Sequence, residues 1–131
     1  MHICCHLDIV QLLLQHGADV NGRGFGNQTA IWRAVSTGQR HIVQFLMQVP
    51  GVDLNVKETG TGDNLLHLAV NSEYAAIYWD IAEKAPHLED EKNKEALTPV
   101  GCASSSFMKA LKFEFELRKN KNEEIKQIDE N

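Results

Sequence analysis

The chain has 131 residues, of which 43% are hydrophobic, and this size suits one domain with a packed core. The formal net charge is −5, which argues against a general nucleic-acid binder, because phosphate contacts need clustered Lys and Arg. No apolar run approaches the length of a membrane-spanning helix, so we expect neither a membrane nor a nucleic acid as partner.

The N-terminal segment HICCH contains residue types that bind zinc. Adjacent cysteines such as Cys4 and Cys5 seldom reach one tetrahedral ion together, so a strip of helix is the favoured interpretation and a metal site the alternative. With Cys102 the cysteines are three, an odd count that fits a reducing compartment, and no basic-then-apolar leader opens the chain. We expect no metal, no cofactor and a cytoplasmic location, with the nucleus as a second one.

Two apolar helices are predicted at matching positions. Residues 6–21 read HLDIVQLLLQHGADVN, in which apolar residues follow helical spacing until Gly17 stops the helix. Residues 41–55 read HIVQFLMQVPGVDLN and repeat the pattern. The step from Val10 to Val43 is 33 residues, a period typical of stacked helical units.

Shorter apolar segments recur at almost the same period, and each follows a residue that can begin a helix. Thr29, Asn64 and Thr98 align at steps of 35 and 34 residues. We expect helix pairs near 5–14 and 30–49, then 65–84, and a last pair near 99–118. The residues expected to be buried are Leu12, Leu13, Ile42, Leu46, Leu66 and Ala69.

The pattern resembles the ankyrin repeat. GADVN stands at 17–21, GVDLN at 51–55, LLHLAV at 65–70 and TP at 98–99. The resemblance implies an all-α solenoid of stacked antiparallel helix pairs with hairpin fingers, about three to four units long, the first unit being truncated. The expected ankyrin-repeat domain spans 1–117, with units at about 1–21, 22–55, 56–88 and 89–117, and a charged tail follows at 118–131.

Several positions depart from the family pattern. Trp32 replaces the usual His, so the turn there must pack differently, and Asp80 stands where an apolar residue is expected. The chain also begins in mid-repeat, which leaves an apolar face without its usual cover. We therefore expect the end near Ile3, Cys5 and Ile9 to pair with another copy or to fray.

The glycine-rich stretch NGRGFGNQT, residues 21–29, has two interpretations. A loop with alternating glycines and a basic residue could bind phosphate, but a dinucleotide site needs a strand before the loop, and a helix is predicted there. The favoured interpretation is a hairpin finger, in which glycine supplies positive φ.

No residue cluster predicts catalysis. His67 matches the family's structural His, which hydrogen-bonds the backbone of neighbouring turns, and no acid or nucleophile recurs beside it. Ser104, Ser105 and Ser106 lack the G-x-S-x-G context and are predicted to cap a helix, with phosphorylation as the alternative. FMKALKFEFEL then predicts a terminal helix capping the stack, and the charged end is expected to be a frayed helix or disordered.

The resemblance implies a protein partner held by the fingers and the exposed faces of first helices. Phe25, at a predicted fingertip, is the expected hot spot. The positions carried over from the family are Arg23, Phe25, Gln28, Ser36, Thr37, Lys57, Glu58, Asp63, Asn71, Ser72, Lys94 and Glu95.

The stretch NVKETGTGDNLLHLAV, residues 55–70, is similar to a segment of inhibitor of kappa B proteins, which bind Rel/NF-kappa-B transcription factors. A short stack without regulatory tails also resembles the I-kappa-B-like proteins of parasitoid-wasp viruses. The implied function is a stoichiometric inhibitor of a Rel dimer. The alternatives are a general scaffold or adaptor, a microbial effector with another host target and, least favoured, an enzyme.

Overall fold

The structure, a computed structural model, describes residues 7–24 and 28–130, with side chains described through residue 123. These residues form six α-helices and two 3-10 turns, and no strand is found among them. The helices are α1 (Leu7–Gln15), α2 (Ala30–Ser36), α3 (Arg40–Met47), α4 (Leu65–Asn71), α5 (Ala75–Lys84) and α6 (Ser105–Glu130). The 3-10 turns are Pro86–Asp90 and Val100–Cys102.

The helices form two layers. In one layer α1 packs on α3, α3 on α5 and α5 on α6, and in the other α2 packs on α4 and α4 on the Val100–Cys102 turn. The layers contact each other where consecutive helices pack together, α2 with α3 and α4 with α5. The expected all-α stack of helix pairs is therefore confirmed.

Capping residues explain where α2 and α4 begin. The Thr29 hydroxyl accepts a hydrogen bond from the Trp32 N–H, and the Asn64 side chain accepts from the N–H groups of Leu66 and His67. The His67 ring accepts from the Asn64 N–H in return, which completes a reciprocal cap. Both segments were expected from the pattern of Thr29 and Asn64.

The predicted core is largely confirmed. Ile42, Leu46, Leu66 and Ala69 are all buried. The prediction for Leu12 was wrong, because its side chain is 52% exposed, and Leu13 is only half-buried. Since α1 is the first described helix and packs against α3 on one side, residues of α1 that face away from α3 are open to solvent.

The last expected helix pair was wrong in its first member. Residues 100–102 form only a 3-10 turn, and Gly101 within it has low helix propensity. The Ser104 hydroxyl then accepts a hydrogen bond from the Phe107 N–H and starts α6, so the predicted serine cap is confirmed.

Helix α6 also runs through the expected boundary between residues 117 and 118, and continues to Glu130. The Arg118 guanidinium donates to the Ala76 carbonyl, so this part of α6 is bound to the stack. Residues 1–6, including Ile3, Cys5 and the HICCH segment, lie outside the described residues.

Candidate protein-binding surface

Three hairpin loops precede α2, α4 and the Val100–Cys102 turn. Each is closed by a backbone hydrogen bond: Gly24 N–H to Gln28 O at 2.9 Å, Glu58 N–H to Asp63 O at 2.9 Å and Asn93 N–H to Leu97 O at 3.0 Å. We call residues 24–28, 58–63 and 93–97 the first, second and third hairpins. Their starting residues lie 34 and 35 positions apart, so the expected fingers recur with the helices.

The second hairpin depends on Gly62. Its φ is 73°, and a Cβ there would lie 3.1 Å from the backbone nitrogen of Lys94. Glycine is favoured for both reasons, since the left-handed conformation and the close approach of the third hairpin each disfavour a Cβ.

The second and third hairpins are bound to each other. The Lys94 N–H donates to the Thr61 carbonyl at 2.9 Å, and the Lys94 ammonium donates to the Thr59 carbonyl at 2.6 Å. The Asn93 amide donates to the Asp63 carboxylate at 2.9 Å. These bonds fix the two hairpins relative to each other before any partner binds.

A fully buried polar pair lies beneath them. The His67 Nε2 is 2.8 Å from the Leu97 carbonyl, to which it donates, because Nδ1 accepts from the Asn64 N–H. The Asn64 amide donates to the Leu88 carbonyl at 3.0 Å. The prediction that His67 is structural is confirmed, because its ring bonds two backbone groups and is closed to solvent.

The expected partner-binding residues fall into three groups by exposure. Arg23, Thr37, Lys57, Glu58, Asn71, Lys94 and Glu95 are exposed, and Gln28, Ser36 and Ser72 are half-buried. Asp63 is buried. Phe25 lies outside the described residues.

Some of these side chains already have partners within the chain. The Asp63 carboxylate holds Asn93 of the third hairpin, and the hydroxyls of Ser36 and Thr37 both donate to the Arg33 carbonyl at 2.9 Å. Asp63 was expected to be exposed on the binding surface, but it lies directly before the Asn64 cap and its side chain is buried.

The exposed charges at the start of the second hairpin, Lys57 and Glu58, make only weak contacts within the chain. Lys57 pairs with Glu91 at 3.5 Å across partly exposed side chains, and the Glu58 carboxylate accepts from the Thr61 hydroxyl at 3.3 Å. Ion pairs of this kind stabilise a fold by about 0–1 kcal/mol, so both charges can be used by a partner.

A cleft between the first and second hairpins was not predicted. It has a volume of about 220 Å³ and brings Arg23, Gln28, Lys57 and Glu58 together with residues that the sequence did not single out as binding residues. The added lining residues are Thr29, Trp32, Val56 and Thr59. The one available indication was Trp32, which stands where the family pattern has His.

A cluster of ion pairs lies across the other layer of helices. Asp80 of α5 binds Arg40 of α3 at 2.8 Å and Arg118 of α6 at 2.5 Å. Burial opposes ionisation of Asp80, but hydrogen bonds from the two guanidinium groups outweigh it and lower the pKa of the carboxyl group below its ordinary value. Arg118 also pairs with Glu83 and Glu114. Asp80, which was not expected from the family pattern, therefore links α3, α5 and α6 through ion pairs.

The described side chains include no group of three or more His, Cys, Asp or Glu residues that could hold a metal ion. Within the same part of the chain, none of the helices combines the length and the apolar composition needed to cross a membrane.

Helix pairs stacked in two layers, with hairpins repeating at steps of 34 and 35 residues, define a helical-repeat solenoid. The chain belongs to the ankyrin-repeat family, because the family model described as ankyrin repeats (3 copies) matches residues 1–92. Ankyrin repeats make the chain a protein-interaction module.

Two relatives match parts of the chain. The chain is 52% identical over 42 residues to the probable E3 ubiquitin-protein ligase XBOS33 of Oryza sativa subsp. japonica, a match covering 32% of this chain and 8% of that protein. It is 32% identical over 60 residues to I-Kappa-B like protein H1 of Microplitis demolitor bracovirus (isolate Webb), covering 45% of this chain and 31% of that protein. The matches thus span less than a third of either relative.

Proposed function

We propose that this interaction module is a non-catalytic, I-kappa-B-like inhibitor that binds Rel/NF-kappa-B transcription factors. The likeness to the viral I-Kappa-B like protein H1 supports this choice of partner. The similarity of residues 55–70 to inhibitor of kappa B proteins supports it as well. That stretch includes the second hairpin.

The observation that carries a binding role is the bonding between the second and third hairpins. Lys94 and Asn93 hold the second hairpin through hydrogen bonds of 2.6–2.9 Å, while Lys57, Glu58 and Glu95 remain exposed. A surface that is already ordered loses little conformational entropy when a partner docks, so more of the contact energy appears as affinity.

Inhibition would follow from occupancy alone. A protein that covers the surface of a Rel dimer needs no catalytic group, and its effect is limited by the number of molecules present. We propose that it acts in the cytoplasm, with the nucleus as a second location.

Calorimetry of the full chain with a purified Rel homology region tests the proposal. We expect a saturable heat with one chain bound per dimer at micromolar concentration or below. No heat under these conditions would reject the inhibitor and leave the interaction module with another partner.

A general scaffold or adaptor, including a microbial effector, is the second candidate. It is supported by the similarity to the rice protein, whose name describes a different function although 42 of its residues match this chain at 52% identity. A pull-down from cells that contain Rel proteins separates the candidates, since an adaptor would recover a different partner and no Rel protein.

A further inference from the structure

A second cleft lies between the second and third hairpins and has a volume of about 640 Å³. One of its walls is the 3-10 turn Val100–Cys102, which stands where the preceding repeats have the helices α2 and α4. This turn packs against α4 as α4 packs against α2, but it is shorter and leaves the end of α4 uncovered. Asn71 at that end is exposed, whereas Ser36, the equivalent residue of α2, is half-buried.

The second cleft is lined mainly by polar residues. Of the described residues that line it, Leu97 is the one large apolar side chain, and it is 36% exposed. Small-molecule sites occupy roughly 300–1,000 Å³ and are lined mainly by apolar side chains. This cleft therefore has the room for a long side chain with its neighbouring backbone, and its lining suits a polar or charged group.

Asp63, at the base of the second hairpin, is a buried acid without a cation. The residue is 9% exposed and lines the cleft. Its carboxylate accepts from the side-chain amides of Asn93 at 2.9 Å and Asn71 at 3.5 Å, and both of these donors are neutral. No ion pair joins Asp63 to any described residue. Because buried charges in proteins are usually paired, a cation from outside the chain would compensate a charge that the fold itself does not.

Glu95 of the third hairpin is the second acid of the lining. It is exposed, and within the described part of the chain it forms no ion pair. Both acids act on one wall of the cleft, since burial and then the charges of Asp63 and Glu95 raise the pKa of the Cys102 thiol. Cys102 is therefore a neutral thiol beside two negative charges.

The cation that lines the cleft, Lys94, is engaged elsewhere. Its ammonium donates to the Thr59 carbonyl at 2.6 Å and forms no ion pair with either acid of the lining. The Asn71 amide oxygen accepts no hydrogen bond from the described residues. Asp63, Glu95 and this amide oxygen are left as acceptors, so the cleft calls for a ligand that carries donors and a positive charge.

We infer that the second cleft is a binding site for an arginine side chain of the partner protein. A guanidinium is always charged and presents five N–H donors in a fixed fork, so it can bond acceptors on more than one wall, whereas an ammonium is a compact point charge. Asp63 is the specificity-determining residue, and Glu95 and Asn71 supply further acceptors. The inference rests on the proposed interaction function and deepens it by naming a site and a ligand chemistry.

NMR of the ¹⁵N-labelled full chain tests the inference. The backbone N–H groups of Gly60 in the second hairpin and Gly101 in the 3-10 turn report binding, because both residues line the cleft. Gly51, outside the lining, is the internal control. The probe is acetyl-Gly-Arg-Gly-amide, compared at constant ionic strength with its Lys analogue and with its citrulline analogue, a neutral isostere of arginine.

We expect saturable shifts of the Gly60 and Gly101 resonances with the Arg peptide in a millimolar titration. The Lys and citrulline peptides should bind more weakly, and the Gly51 resonance should stay in place. The inference is overturned if neither cleft resonance gives a saturable shift, or if the Lys or citrulline peptide binds as tightly as the Arg peptide.

Matched acid variants test the role of charge. Glu95→Gln should weaken binding of the Arg peptide by about two- to fivefold, the effect of removing one exposed ionic contact. Glu116→Gln, an exposed acid of α6 outside the cleft, should leave it unchanged. Asp63→Asn should weaken binding by about tenfold or more, because this acid is buried. If Asp63→Asn does not fold, the Glu95 comparison decides: equal affinity of Glu95→Gln and the parent chain would overturn the selection of a cation.

The outcomes separate this inference from the proposed function. If a Rel homology region binds while Gly60 and Gly101 fail to respond to the Arg peptide, the cleft site is rejected and the inhibitor stands. If both resonances respond to the peptide while the Rel region gives no heat, the site stands and the partner is a different protein.

Discussion

Glu73 has a backbone conformation that residues with a Cβ rarely adopt. Its φ is 60°, and the residue follows the end of α4. The equivalent residue after α2 is Gly38, with φ of 71° and the Tyr74 ring packed against it. The two turns therefore have the same geometry, and only the one with glycine avoids strain.

Replacing Glu73 with Gly should stabilise the protein by up to roughly 1 kcal/mol, because relief of the left-handed strain outweighs the greater backbone entropy that glycine loses on folding. Urea unfolding followed by circular dichroism measures the change. Gly38→Ala is the opposite control, since its Cβ would come within 2.7 Å of Tyr74 and should destabilise the fold. An unchanged or lower stability for Glu73→Gly would contradict the strain argument.

Asp80 should make the free energy of unfolding decrease at low pH. Its pKa in the folded protein lies below the ordinary Asp value of about 3.9, so the unfolded chain binds the proton first as the pH falls. The stabilisation is therefore present above about pH 4 and is lost as the pH drops through the pKa of the folded state.

Asp80→Asn should lower the unfolding free energy at neutral pH by about 1–3 kcal/mol, below the figure for fully buried pairs because Arg40 is partly exposed. The variant should also lose stability less steeply than the parent between pH 5 and 2, a range around the ordinary Asp pKa of about 3.9. Urea unfolding at several pH values measures both. Parallel profiles for the two proteins would contradict the role given to Asp80.

At the scale of elements, α1 and α3 have similar sequences but different surroundings. Leu46 of α3 lies between neighbouring helices and is 1% exposed, whereas Leu13 of α1, the equivalent residue 33 positions earlier, is only half-buried. Position in the stack decides the difference, because α3 has a neighbour on each side in its layer.

Leu46→Ala should therefore cost about 2–5 kcal/mol, as for other buried leucines. Leu12→Ala, at an exposed position of α1, serves as the control and should stay within roughly 0.5 kcal/mol, the usual range for surface positions. Thermal or urea unfolding of both variants tests the pair, and a similar loss for each would mean that α1 is covered in solution.

The same contrast shows how far the sequence predicts this fold. Helical spacing and the residues Thr29 and Asn64 predict where α2 to α5 lie, because caps and apolar faces are local properties. The exposure of Leu12 was not predictable, since it depends on which helices lie beside α1. The cleft lined by Trp32 was not predicted either, because it depends on how two distant loops pack, and Trp32 in place of the usual His was its one indication in the sequence.

At the scale of the whole molecule, the charges of the second hairpin should govern how fast a partner arrives. Exchanging Lys57→Glu and Glu58→Lys together keeps the net charge but reverses the local pattern. If a Rel region binds the hairpins, the double variant should associate more slowly and with altered salt dependence, as rim charges do. Its melting temperature should stay nearly unchanged because both side chains are exposed.

Stopped-flow or surface-based kinetics at several salt concentrations measures the effect. Gln127→Ala, in the charged C-terminal segment, is the control and should change neither the association rate nor the dissociation rate. Phe25→Ala is expected to weaken the same complex by speeding dissociation, since a central aromatic acts mainly after contact. An unchanged association rate for the double variant would place the partner on another surface.

The Asp80 carboxylate, which binds both Arg40 and Arg118, couples helices that are not neighbours in the stack. In a linear repeat protein each unit senses its immediate neighbours, and the energies of units and interfaces simply add. Here α3 and α6 lie on opposite sides of α5, yet both donate to one acid. Arg40→Gln and Arg118→Gln should therefore be non-additive in a double-mutant cycle, with a coupling free energy of about 0.5 kcal/mol or more. Loss of the C-terminal helix α6 would then destabilise α3, two helices away in the same layer, and the solenoid should unfold in larger cooperative units than its repeat length suggests.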